Sequence, residues 1–266
     1  MRVPSLPLSA PHIGFPKRDD SETRGLAINT MPNDPPIMLK TSFRELLLKY
    51  GAMLPEVVLG KASNLLREID LRAWMAKRGM RLDQCVTQRE ELFERVGTEV
   101  GQLPVLYLEF GVAAGDATRS WARILKHPDS LLHGFDSFEG LPEAWSDCPK
   151  GMFSTAGALP KIDDPRVSFF KGWFDQTLPS YQPPSRDVVI MNLDADLYSS
   201  TGYVLRKLKS LIRIGTYLYF DEFVSLGHEE RAFRELVEET GARFKVIGNT
   251  RDLVHVMFQC VGTGQP

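Results

Sequence analysis

The stretch Val105 to Thr118, VLYLEFGVAAGDAT, decides the fold. An apolar run of β character meets an acid, Glu109, turns through Gly111 and Gly115, and enters a helical pattern from about Asp116 through Trp121 and Ile124. In an open α/β sheet the first strand-to-helix turn gathers backbone N–H groups and a helix N-terminus, where an anionic or polar ligand can settle. Residues without Cβ let the main chain bend sharply and approach such a ligand closely. A plain glycine turn with no ligand is the competing reading. The spacing is E-x-G-x-x-x-G, whereas a dinucleotide fingerprint requires G-x-G-x-x-G, so a pyrophosphate reading is weak. If buried, Glu109 must find hydrogen-bond donors or a positive partner.

Strand-like segments follow the same style at Val105–Phe110, Leu131–Phe135, Val167–Phe170, Val188–Leu193, Thr216–Phe220, Phe244–Ile247 and Leu253–Phe258. Most of the early ones are followed by a helix. This alternation predicts an α/β fold over residues 101–266: a mostly parallel, seven-stranded, doubly wound sheet with helices on both faces. The short GNTRD connection at Gly248–Asp252 predicts an antiparallel hairpin closing the sheet. Upstream, Phe43, Leu46, Leu47 and Tyr50 recur at helical spacing after a cap at Thr41 or Ser42. A second helix is expected around Leu65 to Trp74, and a third over Gln88 to Val96, ended by Gly97. Residues 39–100 are therefore expected to form a helical extension serving as a lid or an oligomerisation surface. Residues 1–38, rich in Pro, Ser, Asn and Asp, read as a disordered or loosely packed arm, with Met31 or Met38 as alternative start sites.

Composition narrows the class. With 43% hydrophobic and 25% charged residues the chain reads as an ordinary soluble globular protein. Lys and Arg number 32 against 34 Asp and Glu, a net charge of -2, which implies no general attraction to nucleic acid or to an anionic membrane. No apolar run approaches membrane-spanning length. Cys85, Cys148 and Cys260 are scattered, which argues against a disulfide framework or zinc cluster and for a reducing, cytoplasmic setting. The expected partner is a small molecule, with a homo-oligomer through the N-terminal helices a further expectation.

The chemistry is read at the ends of the strands. Asp136, about 25 residues past Gly111 and followed by Ser137, has the spacing of an acid that takes ribose hydroxyls; an Asx turn is the plainer alternative. Gly172 and Trp173 offer an aromatic plane that can stack on a purine or simply pack on its own helix. DVVIMNLDADLYSST runs from a core strand into Asp194 and Asp196, and TYLYFDEF emerges into Asp221 and Glu222. If these strands are neighbours their carboxylates share one crevice and repel unless a cation lies between them, and hard oxygen ligands suit Mg²⁺, Ca²⁺ or Mn²⁺. The alternative is that one acid of each pair caps a helix and the other faces solvent. His228 is the remaining base candidate near these acids in sequence, although a capping or surface role fits it better.

Taken together, LEFGVAAGDATRSWA, HGFDSFEGLPEAW, FFKGWFDQTLP, NLDADLYSST and YFDEF, in that order from about Leu106 to Phe223, resemble the macrocin O-methyltransferase family. The resemblance implies S-adenosylmethionine-dependent enzymes of natural-product biosynthesis with the Rossmann-like class I methyltransferase fold. It implies that Glu109, Gly111 and Gly115 surround the methionine end of the cofactor, with Thr118 touching its carboxylate. Asp136 and Ser137 would take the ribose and adenosine side, and Gly172 and Trp173 would lie by the adenine. Asp194, Asp221 and Glu222 would bind a divalent cation, usually magnesium; apart from the resemblance, the need to take a proton from the acceptor oxygen points to Asp194, at hand through substrate or water. The chain departs from the family's usual Asp-Asp pair by carrying Glu222. The expected reaction is metal-dependent methyl transfer to a hydroxyl of a small sugar, glycoside or phenol. The alternatives are an NAD(P)-dependent oxidoreductase of the dinucleotide fold and a binding protein that keeps the fold without turnover.

Overall fold

In the computed structural model, which describes residues 41–264, the elements run α1 (Thr41–Gly51), α2 (Glu56–Lys77), β1 (Cys85–Val86), α3 (Arg89–Val100), β2 (Val105–Phe110), α4 (Asp116–Ile124), β3 (Leu131–Asp136), β4 (Val167–Lys171), α5 (Phe174–Thr177), β5 (Val188–Leu193), α6 (Tyr198–Lys207), β6 (Tyr217–Phe220), α7 (His228–Thr240), β7 (Arg243–Thr250) and β8 (Val256–Gly262). The arm expected at 1–38 lies outside the described residues. Helix α1 belongs to a unit that ends at Leu54, and the remainder of the chain forms a second unit.

In the second unit the strands form one sheet in the order β1-β7-β8-β6-β5-β2-β3-β4. All neighbours pair in parallel except β8, which runs antiparallel to both β6 and β7. Strand β2 lies between β3 and β5, so the chain reverses its direction of travel across the sheet beside β2, where ligands of open α/β sheets gather. The sheet has eight strands and not the expected seven: β1 pairs through Cys85 and Val86 alone, too short for any periodicity to reveal. The expected final hairpin forms, but its turn lies further along. β7 continues through Gly248 to Thr250, with a register shift between Val246 and Gly248, so the glycine marks a bulge and not the turn. Leu253, expected in the last strand, sits in the connection with φ +59°.

The pleat divides the core. Leu106, Leu108 and Phe110 of β2 face one side, where Met191, Phe220, Phe233 and Phe258 pack with Leu71 and Met75 of α2. Val105 and Tyr107 face the other, against Phe93 and Val96 of α3 and Trp121 of α4. Every side chain of β2 is buried, as a central parallel strand covered on both faces requires. Gly97 does not end its helix. It lies inside α3, where a Cβ would stand 2.2 Å from Ile124 Cγ2, so the glycine allows α3 and α4 to approach closely; the helix stops at Gly101, φ +57°. Among the described residues no helix is long and apolar enough to cross a membrane.

Candidate active site

A relay of backbone hydrogen bonds runs along the C-terminal edge of the sheet. The Asp221 N–H donates to Leu193 O at 3.1 Å, Asp194 N–H to Phe110 O at 2.9 Å, Gly111 N–H to Phe135 O at 3.1 Å, and Gly172 N–H to Asp136 O at 2.9 Å. Residues scattered over more than a hundred positions thus stand side by side because parallel pairing aligns successive strand ends. They open into a cavity of about 620 Å³. Of the residues singled out from sequence, Gly111, Asp136, Ser137, Gly172, Trp173, Asp194, Asp221 and Glu222 line it.

Glu109, Gly115 and Thr118 do not. Glu109 is 1% exposed, and its Oε2 accepts hydrogen bonds from the Tyr107 hydroxyl at 2.8 Å and the Thr118 hydroxyl at 2.6 Å. Asn192 Nδ2 in turn donates to the Tyr107 oxygen at 3.0 Å. Burial pushes the Glu109 carboxyl up to about 7, against the pull of the Thr118 and Tyr107 hydrogen bonds. Gly115 adopts φ +82° at the N-terminus of α4, and a Cβ there would meet Pro160 at 2.8 Å. These three residues brace the turn from behind the cavity wall.

Gly111 belongs to the wall and is constrained by it. At φ +93° its missing Cβ would stand 1.7 Å from the Asp194 carbonyl oxygen, so the turn after β2 and the end of β5 approach closely only because a glycine is present. Asp136 Oδ2 accepts the Val112 and Ala113 N–H groups at 2.8 Å each, and Oδ1 accepts Phe138 N–H at 2.7 Å. The Asx turn is therefore real, and the same carboxylate fastens the glycine turn. A carboxylate has about four acceptor sites, so one remains for a ligand hydroxyl. Ser137 Oγ accepts Glu139 N–H at 3.1 Å.

The other half of the cavity is acidic. Burial holds Asp194 well above the usual carboxylate range, reinforced by Asp221, Asp196 and Glu229. Burial, with Glu222 and Asp221 nearby, pushes Asp196 up to about 7. Asp221 lies below the usual range. Burial acts to raise it, but hydrogen bonds from His255 and Tyr219 and the charge of Arg89 outweigh that. Its Oδ1 receives Arg89 Nη1 at 2.9 Å and the Tyr219 hydroxyl at 2.5 Å, with His255 Nδ1 at 3.3 Å. Glu222 Oε2 accepts the Ser225 hydroxyl, and its N–H donates to buried Glu229 at 3.1 Å.

The acids are the donor type a hard divalent cation requires, and Asp194, Asp221 and Glu222 face one cavity. Among the described residues no donor reaches the Asp194 carboxylate. Nor do any three of His, Cys, Asp and Glu among them already converge as a coordination set. Asp221 shares one oxygen with Arg89, so a cation would have to use its other one. His228 begins α7, and its Nδ1 accepts the Tyr198 N–H at 3.0 Å, a structural task. Sequence reasoning missed Arg89 and His255 because nothing local marks them: Arg89 opens a helix 132 positions before its partner. Tyr219 had a signal, since YLYF alternation places Tyr217 and Tyr219 on one face of the strand.

The Macrocin-O-methyltransferase (TylF) family model matches residues 155–249. The chain is 28% identical over 141 residues to 8-demethyl-8-(2,3-dimethoxy-alpha-L-rhamnosyl)-tetracenomycin-C 4'-O-methyltransferase of Streptomyces olivaceus, covering 44% of this chain and 52% of that protein. It is 30% identical over 83 residues to demethyldecarbamoylnovobiocin O-methyltransferase of Streptomyces niveus, covering 31% and 29% respectively. The matches thus span about half or less of these curated relatives. The solved structure of the O-methyltransferase NovP superposes with a TM-score of 0.51 at 22% identity, covering 65% of this chain and 80% of that one, and shares the fold. The chain is thus similar to the macrocin O-methyltransferases over residues 155–249 and shares the fold of the O-methyltransferase NovP.

Proposed function

We propose that this chain is an S-adenosylmethionine-dependent O-methyltransferase acting on a hydroxyl of a small sugar, glycoside or phenol. The observation that supports it most is the edge relay that sets Gly111, Asp136 and Gly172 beside Asp194 and Asp221 in one cavity. Asp136 has an acceptor site left for a ribose hydroxyl, Ser137 lies beside it, and Trp173 offers a face for adenine. Glu109, Thr118 and Gly115 act on the cofactor indirectly, by holding the turn that bears Gly111.

When bound, S-adenosylmethionine supplies a methyl group already activated on a sulfonium, which the acidic wall suits electrostatically. The protein's remaining task is to align an oxygen with that methyl and to remove the oxygen's proton. Asp194 is the residue we assign to the proton: it faces the cavity, and no donor among the described residues reaches its carboxylate. A divalent cation, magnesium or another, would be held by Asp194, Asp221 and Glu222 and would lower the pKa of the acceptor hydroxyl. Arg89 and His255 keep Asp221 ionised and oriented for that role. Residues 101–266 would carry the activity, with the helices of 39–100 serving as a lid or oligomerisation surface.

The test is a methyl-donor assay against sugars, glycosides and catechols, with and without Mg²⁺, alongside calorimetry with S-adenosylhomocysteine and NAD. Methyl transfer with S-adenosylhomocysteine binding in the micromolar range is expected. Binding of NAD in its place would overturn the reading. EDTA should abolish turnover and added Mg²⁺ restore it; full activity in EDTA would remove the metal role alone.

A further inference from the structure

We propose that this cavity selects an acceptor free of phosphate and carboxylate groups and bearing an apolar flank, so that an uncharged or amine-bearing glycoside or phenol enters and a nucleoside diphosphate sugar does not. The proposal rests on the methyl-transfer reading and narrows its substrate class.

Charge is the first argument. Among the described residues lining the cavity are six carboxylates, Asp136, Asp175, Asp194, Asp196, Asp221 and Glu222, and no Lys, Arg or His. The nearest cations to the acid cluster, Arg89 and His255, lie outside the lining and direct their donors at Oδ1 of Asp221. Asp136 is offset by three backbone N–H groups. A divalent ion shared by Asp194, Asp221 and Glu222 would still leave Asp175 and Asp196 without a cationic side chain beside them in the lining. Phosphate sites are built from Arg forks or open helix N-termini. Both helices that begin at this cavity meet it with an acid: Asp175 lies in the first turn of α5, and Asp196 stands two residues ahead of α6. The Tyr198 N–H of α6 is already donated to His228. A diphosphate would find no cationic side chain in the lining to receive it, whereas a neutral or cationic acceptor needs none.

The second argument is the roof formed by residues 138–157. It folds on itself through Leu141 N–H to Met152 O at 3.0 Å, Gly151 N–H to Leu141 O at 2.9 Å, and Gly157 N–H to Phe138 O at 2.8 Å. The Ser199 hydroxyl donates to Glu143 Oε1 at 2.9 Å, which draws the roof onto α6 and so to the acid side of the cavity. From this roof Leu141, Pro142, Trp145 and Phe153 line the cavity. Phe153 is 51% exposed, and the buried Trp145 Nε1–H has no acceptor among the described residues. Flat apolar rings opposite carboxylates suit a ring-bearing acceptor with hydroxyls on its other side.

The experiment incubates the full chain with S-adenosylmethionine and Mg²⁺ in an equimolar pool of aryl rhamnosides, amine-bearing aryl glycosides, catechols and dTDP-rhamnose, and reads methylated products by mass spectrometry. Product is expected on uncharged or amine-bearing members, at least tenfold above any on dTDP-rhamnose. Phe153→Ala and Trp145→Ala should raise KM for the preferred acceptor at least fivefold while S-adenosylhomocysteine affinity by calorimetry stays unchanged. Preferred methylation of dTDP-rhamnose, or no product on any uncharged or amine-bearing member, overturns the inference. An unchanged KM in both variants removes the apolar flank. Failure of S-adenosylhomocysteine to bind is a separate result that strikes the methyl-transfer reading itself.

Discussion

Glu109 and Asp194 close adjacent strands of the same sheet, and both are raised above the usual carboxylate range by burial, yet they occupy opposite situations. Glu109 is the penultimate residue of β2, in register with Asn192, and the pleat turns it toward Tyr107 and Thr118, which donate to it. Asp194 is the first residue past β5 and opens into the cavity with no protein donor among the described residues. Two residues of displacement along neighbouring strand ends, from the level of Asn192 to that of Asp194, separate a brace from a candidate base. A perturbed pKa alone does not mark chemistry; what decides is whether the group's acceptor sites are already filled.

The largest effect that would break this contrast is expected at the point where the two strand ends touch. Gly111→Ala places a methyl group against the Asp194 carbonyl at a positive φ, and unfolding in denaturant should show a loss of roughly 3 kcal/mol. A neutral result would show that the two turns are not packed as described. Asp194→Asn keeps the shape and removes the proton acceptor, so turnover should fall about a hundredfold or more while S-adenosylhomocysteine binding persists. Retained turnover would assign the base elsewhere. Asp136→Ala should weaken S-adenosylhomocysteine by at least about 1 kcal/mol, roughly fivefold, in calorimetry; an unchanged affinity would leave Asp136 with its Asx turn alone.

The smallest effect sharpens the Glu109 side. Its folded pKa of about 7 exceeds the reference value of 4.5, so the folded state holds an extra proton between those values, and stability falls as pH rises through that window. Glu109→Gln should therefore raise the melting temperature by a few degrees at pH 8, with the gain shrinking toward pH 5. A gain independent of pH would mean that the carboxyl is not carrying that proton.

The doubly wound sheet was legible in the sequence because buried parallel strands write themselves as apolar runs, and VLYLEF and VVIMNL are such runs. The acids after β5 and β6 were legible because a charge directly following such a run has to sit at its end. What sequence could not show is which way a strand-end acid faces: Glu109 and Thr118 bond to each other and lie outside the cavity lining. Nor could it show Gly97 as a helix contact, since a glycine at a tight crossing and a glycine at a helix end look alike until the partner, here Ile124, is known. The roof over residues 138–157 lacks periodicity altogether, being held by scattered loop hydrogen bonds.

The first turn of α3 is clamped by Glu91, whose Oε1 accepts the N–H groups of Thr87 and Gln88 at 3.0 Å each. Arg89 projects from that clamped turn and delivers its positive charge to Asp221. Loosening a helix start remote in sequence from both acid motifs would therefore change the charge and position of Asp221 without replacing any residue of the rim.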